Sequence, residues 1–259
     1  MSEDRKTARL VLEDGTTLEG ELFGHEGPAA GEVVFNTGMV GYPETLTDPS
    51  YRGQILVFTY PLVGNYGVPA YGDENGLPRH FESDRIHARG VVVVEHAKEP
   101  SHFSSTRSLD QWLRQEKIPG LSGIDTRALT QKLRTKGTML GRIVREQDQI
   151  DFFDPGKVNV AAEASIKEPV LYEAGDRLVI LVDCGVKSNI IRSLLERGVS
   201  VKRVPWNYDF TKERFDAAVI SNGPGDPKSC GVAIENVQKA MALGRPLFGI
   251  CLGNQIMGL

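Results

Sequence analysis

The sequence predicts a mixed α/β chain. A β-rich α+β domain spans residues 1–150, a linker spans 151–175, and a doubly wound α/β domain begins at 176 and runs to 259. Three observations carry this. Short apolar stretches separated by Gly, Pro and Asp turn signals dominate the first part. Continuous apolar strands alternating with amphipathic helices fill the last, the pattern of a mostly parallel sheet with right-handed crossovers. Between them periodicity fades, while Pro155, Gly156, Pro169 and Gly175 accumulate.

Strands are expected at Ala8–Leu12, Thr17–Phe23, Glu32–Phe35, Gln54–Thr59 and Gly90–Glu95. Asp14-Gly15 between the first two is a hairpin turn, because Gly supplies the positive φ that tight hairpins need. Gly27-Pro28, Asp48-Pro49 and Asn65-Tyr66-Gly67 mark further turns. Ser108-Leu-Asp-Gln111 has the spacing of a capping box and predicts a helix to about Lys117. Asp125 caps a second helix through Arg127, Leu129 and Leu133, which Gly137 ends. Beyond the linker, Arg177–Asp183 reads as a strand buried on both faces. A helix over Lys187–Arg197 follows, with Ile190, Ile191, Leu194 and Leu195 on one face and Gly198 at its end. Strands at Val199–Val204, Ala217–Ile220 and Pro246–Ile250 and a helix over Gly231–Leu243 complete the pattern.

Composition narrows the function class. Of 259 residues 40% are hydrophobic and 25% charged, which supports a packed core and excludes disorder, collagen and coiled coil. The net charge is −4 with no block of like charge, so neither nucleic acid nor an anionic membrane is an expected partner. The longest apolar runs, Val91–Val94 and Leu178–Val182, fall far short of the roughly 20 residues of a span. No apolar stretch follows the polar start Met1-Ser-Glu-Asp-Arg-Lys, so no signal peptide is expected. Cys184, Cys230 and Cys251 are odd in number and far apart, which predicts reduced thiols and a cytoplasmic location.

Chemistry concentrates at two places. Gly249-x-Cys251-x-Gly253 directly after a buried strand has the form of a nucleophile elbow with Cys in place of Ser. The sharp turn presents the sulfur at the carboxyl end of the sheet, where open α/β sheets bind ligands. The helix that follows offers N–H groups to an oxyanion. The same residues also fit a buried Cys between closely packed glycines. The second place is Ser221-Asn222-Gly223-Pro224-Gly225-Asp226-Pro227, a stiff loop on the same sheet edge. It reads as an oxyanion donor and pocket wall, or equally as a tight strand-to-helix connection; no Gly-Lys-Ser/Thr makes it a phosphate loop.

Elbow and loop together resemble the class I, or triad, glutamine amidotransferases. The N-terminal half narrows this. Leu12-Glu-Asp-Gly15, Gly31-Glu-Val-Val-Phe-Asn-Thr37, Gly41-Tyr42, Leu46-Thr-Asp-Pro-Ser-Tyr51, Thr59-Tyr-Pro61 and Gly64-Asn65-Tyr-Gly67 resemble the small subunit of carbamoyl-phosphate synthetase, as do Gly123-Ile-Asp-Thr-Arg127 and Asp183-Cys-Gly-Val-Lys187. The resemblance implies that Cys251 is the nucleophile on the glutamine side-chain amide. It assigns Gly223 and Leu252 as backbone oxyanion donors, and Ser50, Gly223, Gly225, Leu252 and Gln255 as glutamine-binding positions. Ser50 would come from the other domain; read alone, it is ordinary turn chemistry. Ammonia would pass to a large synthetase subunit that uses ATP and Mg, and the carbamoyl phosphate would feed arginine or pyrimidine biosynthesis. No cofactor or metal is expected on this chain itself.

One part of the pattern is absent. The family supplies base and orienting carboxylate as a His-x-Glu pair well downstream of the elbow. Here His25, His80, His87, His96 and His102 all lie in the N-terminal half, and Leu259 is eight residues past Cys251. The expectation is therefore a fragment with an incomplete glutaminase domain and no efficient activity of its own, or a non-catalytic scaffold docked on a synthetase. Cys184 is expected to be a buried strand-end residue and Cys230 a loop thiol. His80, His87, His96 and His102 are expected to be solvated or locally bonded, and Trp112, Trp206 and Tyr208 to be packing residues. No Cys/His spacing suggests zinc.

Overall fold

A computed structural model describes residues 6–259 and divides the chain into two units. The first takes in residues up to Thr47, Gly53–Tyr71 and Arg85–Pro155. Seven of its strands close into a barrel: β1 (Thr7–Leu12), β2 (Thr17–Gly24), β3 (Ala29–Asn36), β4 (Gln54–Phe58), β5 (Gly90–Val92), β6 (Pro119–Ser122) and β7 (Met139–Val144), in the order β1-β7-β3-β4-β5-β6-β2. Alternation drives the closure: Ala8, Leu10 and Leu12 of β1 all point inward, at 2% exposure or less. They share one core with Val33, Ile55, Val57, Val92, Leu121 and Ile143.

The Asp14-Gly15 turn forms as expected, with Gly15 N–H on Leu12 O at 3.0 Å and Thr16 N–H on Asp14 Oδ1 at 3.0 Å. Helix α1 is a single short turn, Tyr42–Leu46. Helix α2 (Leu109–Gln115) carries the reciprocal capping box: Gln111 N–H donates to Ser108 Oγ and Ser108 N–H to Gln111 Oε1. Asp125 caps α3 (Thr126–Lys136), which sends Leu129 and Leu133 into the barrel core.

The second unit is built from three pieces: Asp48–Arg52, Gly72–Asp84 and Gly156–Leu259. Its main sheet has five strands, β8 (Val170–Tyr172), β9 (Arg177–Asp183), β10 (Val199–Pro205), β11 (Ala217–Ile220) and β12 (Leu247–Gly249), ordered β8-β10-β9-β11-β12. All neighbours are parallel except β8 on β10. Alternate residues of β9 enter different cores. Val179 and Leu181 join Ile191 of helix α5 (Ser188–Leu195), whereas Ile180 and Val182 join Ala161 of α4 (Val160–Ala164), Val237 of α6 (Gly231–Ala242) and Ile256 of α7 (Leu252–Met257). A strand buried on both faces reads as an unbroken apolar run for this reason.

The structure departs from the sequence reading in several places. β6 and β7 join the barrel unforeseen, because β6 is a four-residue Pro-Gly segment and Gly141 interrupts the apolar pattern of β7. Residues 151–175, expected as a partly ordered linker, carry local structure. Phe152 and Phe153 lie under Arg142 and Arg89, at 4.9 and 3.6 Å, and α4 and β8 follow. Both elements are too short to show a period, and two of the three residues of β8 are exposed.

Cys230 lies in a loop, as expected, but not at the surface. It is fully buried at the start of α6, where Cys230 N–H reaches Pro227 O at 3.0 Å. His87 is buried, and half-buried His96 stacks face to face on Phe23 with ring centroids 4.1 Å apart. Burial there pulls the His96 imidazole below its ordinary value. Among the described residues no helix is long and apolar enough to cross a membrane.

Candidate active site

The strand order places a switch point in the second unit. From central β9 the chain moves to β10 on one side and then to β11 on the other, so the crevice between β9 and β11 opens at their carboxyl ends. Cys184 follows β9, Ser221-Asn222-Gly223 follows β11, and Cys251 follows β12.

Cys251 has φ 52° and ψ −110°, a backbone state that L-residues rarely adopt and that costs about 1–3 kcal/mol unless the surroundings enforce it. They do enforce it. Ile250 N–H bonds to Ile220 O at 2.9 Å, Gly253 N–H reaches Ser221 O at 3.0 Å and Ile250 O at 2.9 Å, and Gln255 N–H closes onto Cys251 O at 3.1 Å. A Cβ on Gly253 would stand 2.1 Å from Ile220 O, so only glycine lets the turn press onto the end of β11. The result is an exposed sulfur. Cys184 and Cys230, in contrast, are buried, and burial pushes the Cys184 thiol well up and the Cys230 thiol up to about 11.

Gly223 wedges between the β9 and β12 connections: its Cβ would meet Cys184 O at 1.9 Å and Leu252 Cδ2 at 3.0 Å. Among the described residues, the N–H groups of Gly223 and Leu252 have no hydrogen-bond acceptor. Ser50 lies in this same unit rather than across a domain boundary, because Asp48–Arg52 packs with it. Its hydroxyl accepts from Asn222 Nδ2 at 3.1 Å, and Pro49 stands beside Gly185. Ser50, Gly223, Leu252 and Cys251 thus form a continuous chain of neighbours. Gly225 faces outward from that chain, toward Val160 of α4, and the Gln255 side chain is exposed one turn beyond Cys251.

Three supporting side chains carry no role in the sequence reading. Asp183, fully buried, accepts from Gly185, Val186 and Ile166 N–H and from the Arg203 guanidinium, which fixes the turn under Gly223. Lys187 pairs with Asp48 at 2.7 Å; burial alone would pull its ammonium down, but the bond and charge of Asp48 outweigh this and hold it above its ordinary value. Asn222, 4% exposed, ties the two loops together. Asp183 at the end of β9 and Asn222 just past β11 stand close before glycine turns, which was the available signal; Lys187, the N-cap of α5, offered none of this kind. Among the described residues no cluster of His, Cys, Asp and Glu could hold a metal ion.

Comparison with known proteins decides the family. Residues 10–143 match the carbamoyl-phosphate synthase small chain, CPSase domain, and residues 180–259 match class-I glutamine amidotransferase. The chain belongs to the carbamoyl-phosphate synthase small-chain family. This small chain is 53% identical to the multifunctional protein CAD of Squalus acanthias over 97% of its own length, and 47% identical to the multifunctional protein pyr1-3 of Dictyostelium discoideum over 99%. It is 48% identical to the mitochondrial carbamoyl-phosphate synthase [ammonia] of Homo sapiens over its whole length. It spans only 12–18% of the length of these relatives.

Proposed function

We propose that the chain is the glutamine-hydrolysing part of a carbamoyl-phosphate synthase, its second unit belonging to a doubly wound glutaminase domain. The observation that carries this is the exposed Cys251 at φ 52°, beside the N–H groups of Leu252 and Gly223, which have no acceptor among the described residues. The Cys251 thiolate attacks the side-chain carbonyl carbon of glutamine. Those two N–H groups receive the oxyanion. Collapse breaks the C–N bond, the leaving nitrogen takes up the proton that the Cys251 thiol gave up and departs as ammonia, and water hydrolyses the glutamyl thioester to glutamate and the free thiol. Ser50, Gly223, Gly225, Leu252 and Gln255 hold the amino acid. A His-x-Glu pair acts as base and orienter in this family, and no histidine of this sequence lies beyond His102.

Ammonia then passes to a synthetase partner that consumes ATP with Mg, in the cytoplasm, toward arginine or pyrimidine synthesis. One relative's name specifies ammonia, which favours a second reading: a scaffold docked on a synthetase without glutamine chemistry. Alkylation of Cys251 by the chloroketone analogue of glutamine separates the two. The first reading requires saturable labelling, protection by glutamine and loss in Cys251→Ser; labelling that glutamine does not slow would leave the scaffold.

A further inference from the structure

The Asn222 side chain makes three contacts, two of them with backbone groups that fix its polarity. Its amide nitrogen lies 3.0 Å from Gly185 O, a group that only accepts, and its amide oxygen lies 3.3 Å from Lys187 N, a group that only donates. The amide therefore cannot be turned over. The same nitrogen reaches Ser50 Oγ at 3.1 Å, so Ser50 is the acceptor in that bond. Ser50 N–H is separately tied to Asp48 Oδ1 at 2.9 Å, and Asp48 to Lys187, which fixes the backbone that carries the hydroxyl. Among the described residues the Ser50 hydroxyl proton has no acceptor.

We infer that Asn222 is a positioning residue that sets the polarity of Ser50: by donating to Ser50 Oγ it leaves the hydroxyl proton to be given to an acceptor on the substrate. The inference rests on the glutaminase reading, in which Ser50 faces glutamine. Asn222 touches no reacting atom. It acts through Ser50, and its effect falls on binding rather than on the reactivity of the sulfur.

A double-variant cycle tests this on the full chain, with the chloroketone analogue of glutamine as probe and iodoacetamide as a reagent blind to the pocket. Ser50→Ala removes one hydrogen bond to the ligand and raises the half-saturating concentration of the chloroketone about tenfold. Asn222→Asp keeps the acceptor for Lys187 N but presents a carboxylate to Ser50. The hydroxyl must then donate inward, and the same tenfold rise follows, with the maximal labelling rate and the iodoacetamide rate unchanged. In the Asn222→Asp background, Ser50→Ala then adds nothing. A Ser50→Ala effect of full size in that background overturns the inference.

If Asn222→Asp does not melt cooperatively, Asn222→Ala takes its place. There the hydroxyl turns freely, and the Ser50→Ala effect must shrink; an undiminished effect is again fatal. Failure of the glutaminase reading looks different. In that case glutamine gives no protection in the unaltered chain, whatever stands at position 222.

Discussion

Removing the Asp183 carboxylate should destabilise the second unit more than any other single change at the site. The carboxylate is fully buried and takes five donors: Oδ1 accepts Gly185 N–H at 2.9 Å and Val186 N–H at 2.8 Å, and Oδ2 accepts Ile166 N–H at 2.8 Å and Arg203 Nε and Nη2 at 3.0 and 2.7 Å. Asp183→Ala leaves a guanidinium that is 18% exposed without its counter-charge, and three N–H groups without an acceptor. Breaking a buried pair from one side costs about 3–5 kcal/mol. Against a total stability of roughly 5–15 kcal/mol, that is a large fraction. Urea unfolding of a Trp112→Phe background, in which Trp206 reports the second unit, is the assay. With an m-value of about 2 kcal/mol/M the midpoint should fall by about 2 M. Asp183→Asn keeps the shape but turns a donor toward Ile166 N–H and Arg203, and should lose nearly as much. A midpoint within about 0.5 M of the parent for Asp183→Ala would refute the argument that this carboxylate organises the turn beneath Gly223.

Three further outcomes follow from the geometry. In the native chain at pH 8 only Cys251 should react with iodoacetamide, because Cys184 and Cys230 are buried and the Cys230 thiol, pushed up to about 11, stays protonated; all three should react in denaturant, and native labelling of Cys230 counts against the packing described. Gly253→Ala drives a Cβ to 2.1 Å from Ile220 O, so the elbow must shift by about 1 Å and chloroketone labelling of Cys251 should slow by about a hundredfold; a rate near the parent's would show that the elbow tolerates movement. Residues 156–259 expressed alone should lack a cooperative melt. They lose Leu77 from the core around Leu181 and Ile191, and Glu82, whose main-chain oxygen accepts from Ser188 and whose carboxylate accepts from Asn189. A sharp transition at the temperature of the whole chain would contradict this.

The legible parts of the fold are those whose signal is local. Ser108 and Gln111 sit at a spacing that only a helix start exploits, and Arg177–Asp183 is apolar in its middle because both faces are covered. Barrel closure is not local. β7 pairs with β1 and β3 across more than a hundred residues of sequence, and nothing in Met139–Val144 itself names those partners. The assignment of Asp48–Arg52 and Gly72–Asp84 to the second unit is equally invisible along the chain. Leu77 looks like any apolar residue in a polar stretch until Ile191 and Leu181 surround it.

The site divides along the same line. Gly249, Cys251 and Gly253 are readable in sequence because an elbow needs small residues at fixed offsets from its nucleophile, wherever the sheet lies. Asn222 sits inside a motif whose glycines and prolines carry the visible signal. Its role depends on which backbone groups stand opposite its two amide atoms, and those groups, Gly185 O and Lys187 N, come from a turn 35 or more residues earlier. That turn is itself held by Asp183, whose partner Arg203 lies on the next strand. Each link is a polar contact with fixed donor and acceptor, so an error at any one of them reverses or releases the hydroxyl of Ser50. A sequence pattern records that Asn, Asp and Lys are present; only the fold sets which backbone groups they face and so which way the Ser50 hydroxyl is turned.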